Sequence, residues 1–191
     1  AEAATEAYEN ARLDVARFIN AADASEVVFT SGTTSAINLV AHSFGQGLKP
    51  GDEIVISMLE HHSNIVPWQL LRQRSGIVLK VIPATTDGRL DLDKLDDVIT
   101  DKCKLVAVTH VSNVTGADTE IYRIVEAAKA VGAKVLIDGA QRVPHGPIDV
   151  QALGVDFYAF STRCMRPMAS AFFGPTGNCW TPCPPLWVVA R

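Results

Sequence analysis

Four short segments carry most of the side chains able to do chemistry: Thr30-Ser31-Gly32-Thr33-Thr34, Glu60-His61-His62-Ser63-Asn64, Thr109-His110-Val111-Ser112-Asn113 and Asp138-Gly139-Ala140-Gln141. In the first, a glycine lets the backbone approach a ligand, and hydroxyls stand ahead of a helical pattern whose opening N–H groups are free. Together they suit an anion such as a phosphate, although a plain helix cap uses the same residue types. The second segment holds two adjacent histidines. At a strand end their rings point in opposite directions, and no second His/Cys/Asp cluster stands at ligand spacing, so no metal site is expected. One imidazole facing a cleft is the functional reading, and a structural histidine is the alternative. Asp138 follows Val135-Leu136-Ile137 and so places an acid at the deep end of a buried run. A buried carboxylate needs a partner. A protonated nitrogen on a bound group would serve, and an aspartate capping the next turn is the other reading.

The elements that must position these segments follow from periodicity. β-Branched runs predict strands over Glu26–Thr30, Glu53–Ser57, Val78–Pro83, Lys104–Thr109, Lys134–Asp138 and Asp156–Phe160. Helical patterns fill Thr34–Phe44, Ser63–Ser75, Leu92–Thr100 and Glu120–Val131, and Ala1 to Asn20 reads as a helix already under way. Alternation of this kind predicts a three-layer α/β/α fold around a mostly parallel sheet. Ligands of such sheets bind outside the carboxyl ends of the strands, which is where all four segments fall.

The 191 residues, 48% apolar and 20% charged, suffice for one domain with a sizeable core or for a piece of a larger one. Net charge is −4 and the 17 lysines and arginines are scattered, so nucleic acid is not an expected partner. Apolar runs such as Leu105–Val108 fall far short of the roughly 20 residues of a membrane span, and no charged-then-apolar leader opens the chain. Four cysteines, three of them after Ser161, make no disulfide framework. No membrane association and a reducing, cytoplasmic location are therefore expected.

Taken in order, Thr33-Thr34 with Ile37-Asn38-Leu39-Val40, Glu60-His61-His62-Ser63-Asn64-Ile65-Val66-Pro67-Trp68, Thr109-His110-Val111-Ser112-Asn113-Val114, Asp138-Gly139-Ala140-Gln141, Asp149-Val150-Gln151-Ala152-Leu153 and Asp156-Phe157-Tyr158-Ala159-Phe160-Ser161 resemble a SUF-type cysteine desulfurase. The wider group is the class-V aminotransferases, fold type I, which use pyridoxal 5′-phosphate. The resemblance implies an incomplete large domain of such an enzyme. It puts the cofactor phosphate on Thr33, Thr34 and Ser161, and stacks His62 on the pyridine ring, where it assists proton transfer. Asp138 would pair with the protonated ring nitrogen, and Asn113 and Gln141 would hydrogen-bond the phenolic oxygen or its surroundings. It further implies L-cysteine as substrate, yielding alanine and an enzyme persulfide for iron–sulfur cluster assembly, with a sulfur-acceptor protein and a homodimer. A selenocysteine lyase or another class-V aminotransferase is equally compatible with these motifs, and a non-catalytic fragment is the reading from a different class.

The departure comes directly after Ser161. The family reads Phe-Ser-Gly-His-Lys there, and its lysine forms the Schiff base with the cofactor. Here Thr162-Arg163-Cys164-Met165-Arg166 follows, and no lysine occurs after Lys134. Back-translation of 162–191, read one base earlier, permits His-Lys, then Gly-Ile-Gly-Val-Leu, then Gly-Gly-Gly-Glu, which resembles what the family carries. Two regions are therefore predicted: 1–161, a partial cofactor-binding domain, and 162–191, a frameshifted tail. Neither the Schiff-base lysine nor a cysteine at the family's sulfur-accepting position is expected. Cys179 and Cys183 are not read as metal ligands, and a chain without activity is expected.

Overall fold

The computed structural model describes residues 2–161. The predicted tail lies outside these residues. The strands β1 (Glu53–Ser57), β2 (Val78–Ile82), β3 (Cys103–Thr109), β4 (Lys134–Asp138) and β5 (Phe157–Ala159) form one sheet in the order β2-β1-β3-β4-β5. Every neighbouring pair is parallel, with Ile56 beside Ala107, Thr109 beside Asp138 and Asp138 beside Ala159. The chain lays β2 on one side of β1 and β3 on the other, so the direction of winding reverses between β1 and β3. A crevice opens outside the carboxyl ends of strands at such a reversal.

Alternation along the strands assigns each face its helices. Ile54, Ile56, Leu105, Ala107, Leu136 and Ala159 point to one side. There they bury Ala36, Ile37, Val40 and Ala41 of α2 (Thr33–Ser43) and Trp68 and Leu71 of α3 (Val66–Ser75). Val55, Ile82, Val106, Val108, Val135, Ile137 and Tyr158 point to the other side. They meet α1 (Glu2–Ile19), α4 (Leu95–Val98), α5 (Ile121–Ala130) and α6 (Val150–Leu153). The predicted three-layer α/β/α arrangement is the one observed. Helix α3 stops at Gly76, whose φ of 69° is the left-handed conformation that closes a helix with little strain only at glycine.

One expected strand is not a strand. Ala24–Glu26 is a single 3₁₀ turn, and residues 27–30 run on without a ladder partner among the described residues. Val27 is nevertheless buried in the core beside α1. The β-branched pattern there marks burial of one residue, and none of the described strands pairs with the rest. Helix lengths also shrink. The run from Ser63 divides into a 3₁₀ turn, His62–Asn64, and α3, and that from Leu92 into a 3₁₀ turn, Leu92–Lys94, and α4.

Candidate active site

Asp138 ends β4, and β3 and β5 flank it. By its register it shares a face with Leu136, the face covered by α2 and α3. Only 4% of the residue is exposed, and among the described residues one carboxylate oxygen accepts the Ala140 N–H at 3.0 Å. Burial pushes its pKa upward, while the Ala140 N–H and the nearby His61 pull it back. Such a carboxylate lacks the two or three donors that normally stabilise a buried anion, so it is suited to a cationic N–H partner.

The turn after β1 presents the histidine pair. Nδ1 of His61 accepts the backbone N–H of Ser63 at 3.2 Å and lies 2.8 Å from the Ser63 hydroxyl. Nδ1 is thus engaged within the turn, and Nε2 takes part in neither contact. His62 opens the 3₁₀ turn, and its ring meets that of His61 edge-on, centroids 5.7 Å apart. Both rings are exposed, but the charge felt at Asp138 is that of His61. The resemblance implies His62 for the ring-facing role, and the electrostatic influence of His61 on Asp138 makes its neighbour on the same turn a second candidate.

Thr33 and Thr34 open α2, Thr33 buried and Thr34 exposed. Among the described residues no side chain caps this helix: Gly32 occupies the cap, and the Thr30 hydroxyl bonds to the Gly32 carbonyl instead. The first-turn N–H groups thus point outward with the positive end of the helix dipole, which fits a phosphate. Helix α2 packs against α3, the 62–64 turn and β5. Ser161 is buried just beyond β5. Asn113 and Gln141 stand exposed on the loops after β3 and β4. An uncapped helix start and a buried acid short of donors are what pyridoxal 5′-phosphate would require of its phosphate and ring-nitrogen partners.

Two features went unassigned in the sequence. Glu60 accepts hydrogen bonds from the Ser57 hydroxyl, the Thr109 N–H at 2.9 Å and the Asn64 amide at 2.6 Å. Asn64 in turn accepts Trp68 Nε1–H at 2.9 Å. The Glu60-x-x-x-Asn64-x-x-x-Trp68 spacing was the available signal. His110 departs from the site altogether: its Nδ1 lies 2.9 Å from the Tyr158 hydroxyl, on the opposite face of the sheet. There it lines a cavity of about 560 Å³ with Arg89, Asp118 and Arg142. Burial lowers its pKa to about 4. Among the described residues no group of histidines, cysteines and acids is arranged to hold a metal ion.

Comparison with known proteins adds four findings. Residues 1–171 match the model of the aminotransferase class-V family. A cysteine desulfurase of Dickeya dadantii is 51% identical over 175 residues, covering 91% of this chain and 41% of that protein. Among solved structures, the cysteine desulfurase CsdA of Escherichia coli superposes with a TM-score of 0.84 at 37% identity, covering 98% of this chain and 44% of the other. A C-DES mutant with glycine covalently linked to the PLP cofactor superposes with a TM-score of 0.75 at 25% identity, over 94% of this chain and 44% of that one. The chain thus spans less than half the length of these relatives.

Proposed function

The chain belongs to the class-V aminotransferase family, and from that premise we propose that its described residues form part of the pyridoxal 5′-phosphate site of a cysteine desulfurase. The observation that carries the reading is Asp138, a buried acid with one N–H partner among the described residues and the His61 imidazole close enough to influence it. Pyridoxal 5′-phosphate is the family's cofactor, and when bound it supplies an electron sink for electrons released at the α-carbon of an amino acid.

The residues of this chain divide the remaining work. Asp138 holds the proton on the ring nitrogen. Thr33 and Thr34, with the N–H groups of their helix turn, and Ser161 bind the phosphate. Asn113 and Gln141 orient the phenolic oxygen side of the ring. His62, as the resemblance implies, or His61 beside it on the same turn, would face the ring and move protons to and from the substrate. In the whole enzyme whose site these residues resemble, the substrate would be L-cysteine, and the products alanine and a sulfur passed to an acceptor protein, in a homodimer located in the cytoplasm. No described helix is long and apolar enough to cross a membrane. Because this sequence has Thr162-Arg163 after Ser161 and no lysine beyond Lys134, the cofactor is held reversibly and cysteine is not turned over.

Titration of the purified chain with pyridoxal 5′-phosphate, followed by absorbance and tryptophan fluorescence, tests this reading. Saturable binding that weakens about tenfold in Asp138→Asn, on the scale of a lost charge-assisted hydrogen bond, is the expected result. Binding that ignores Asp138 would refute the reading. Alanine formed from cysteine by the chain would refute the claim of inactivity.

A further inference from the structure

The carboxylate of Glu60 stands where three segments of the site converge. The β1–β3 ladder ends at the pair Ile56 and Ala107. Beyond it, Thr109 N–H has no carbonyl of β1 to reach, and it bonds to Glu60 Oε1 instead. The same oxygen takes the Ser57 hydroxyl from the end of β1, while Oε2 takes the Asn64 amide from the turn that carries His61. Asn64 is fully buried and is itself pinned by Trp68, a residue with no exposed surface. On the far side of Thr109, in register with it, lies Asp138.

We propose that Glu60 is the positioning residue of the candidate site: a single inward-turned carboxylate that fastens the ends of β1 and β3 to the His61 turn. The inference rests on the cofactor reading above and goes beyond it by assigning a residue that touches neither ring nor phosphate. A side-chain carboxylate substitutes here for one more rung of the sheet. The ladder therefore ends without an orphaned N–H, and the crevice opens at the next residue. The burial that makes this clamp rigid also pushes Glu60 up to about 7, with the Asp138 charge adding to the rise and the three hydrogen bonds opposing it. Asp138 is the charged group facing it from β4, and His61 follows it on its own turn. Ser57, Asn64 and Thr109 are uncharged. Pairing of Asp138 with a protonated ring nitrogen removes that repulsion, so occupancy of the site releases the proton held at Glu60.

The full chain, labelled with ¹³C at the glutamate and aspartate carboxyl carbons, allows Glu60 to be titrated directly by NMR between pH 4 and 9. A midpoint near 7 is expected, falling by about half a unit or more in Asp138→Asn and also in wild type saturated with pyridoxal 5′-phosphate. Glu60→Gln, which keeps an acceptor for Thr109 and Ser57 but loses the Asn64 bond, should weaken cofactor binding by about threefold. Glu60→Ala should weaken it by about tenfold, on the scale of one to two lost hydrogen bonds. A midpoint in the ordinary acid range, or one unmoved by Asp138→Asn, overturns the inference even if the cofactor binds. Coupled titration in a chain that does not bind the cofactor overturns the cofactor reading and leaves the coupling and the clamp in place.

Discussion

His61 and His62 are adjacent on one turn, and His61 is the one whose electrostatic influence reaches Asp138. His61→Ala is therefore expected to weaken pyridoxal 5′-phosphate binding about tenfold, and His62→Ala no more than about twofold, by the same fluorescence titration; this is the scale of a ring contact made or not made. Two other titrating residues pull stability in opposite directions. His110 falls from 6.5 to about 4 on folding, so the unfolded chain binds a proton that the folded chain refuses. Its contribution, on the order of 3 kcal/mol, is fully present above pH 6.5 and is lost as the pH falls towards 4. Glu60 rises from 4.5 to about 7, so the folded chain keeps a proton that the unfolded chain releases. Its contribution is fully present below 4.5 and is lost as the pH rises through 7. The two offset each other between about 4.5 and 6.5. Measured across that window, urea midpoints should rise with pH more steeply than wild type in Glu60→Gln and fall with pH more steeply than wild type in His110→Phe. Parallel profiles for the two variants would contradict the assignment. None of this was legible in the sequence, because adjacent polar residues look alike until the backbone aims them at different neighbours.

At the scale of elements, the turn that presents Asp138 depends on a close contact across the sheet. A Cβ on Gly139 would lie 2.2 Å from the Tyr158 ring, and Tyr158 is fully buried and bonded to His110. Neither side can retreat. Gly139→Ala is expected to cost about 3 kcal/mol by overpacking, read from chemical denaturation, and Tyr158→Val in the same chain should return part of that loss. The five strands were legible, since runs such as Val135-Leu136-Ile137 are apolar on both faces and must be enclosed by two layers. The segment at 27–30 was misread because alternation reports which side chains are buried, while strand identity requires a neighbouring chain whose position is set by distant residues. The start of α2 was legible as a helix opening after Gly32, but how that helix is capped was not. Gly32 at the cap, and not a side-chain oxygen from the adjacent serine or threonine, is a choice made by backbone geometry.

For the whole molecule, the sheet separates what can reach the cofactor from what cannot. Lys134 begins β4 and pairs with Asp156 at 2.7 Å, at the opposite edge from Asp138 and some 13 Å away at about 3.3 Å per residue. It cannot replace the lysine expected after Ser161. Borohydride treatment of the cofactor-loaded chain should accordingly leave no reduced adduct on a peptide of this site by mass spectrometry, whereas a chain encoded with His-Lys after Ser161 and extended by the segments its longer relatives carry should acquire one. An adduct on Lys134 would refute the placement. The uncapped start of α2 has a separate, dynamic consequence. A helix whose first turn relies on an incoming anion for its missing partners frays until that anion arrives, and the ligand then acts as part of the secondary structure. Amide hydrogens of Thr33, Thr34 and Ser35 should therefore exchange with solvent quickly in the free chain and slow in proportion to cofactor concentration, while those of β3 stay unchanged. Ligand binding would thus be recorded as the local folding of one helical turn.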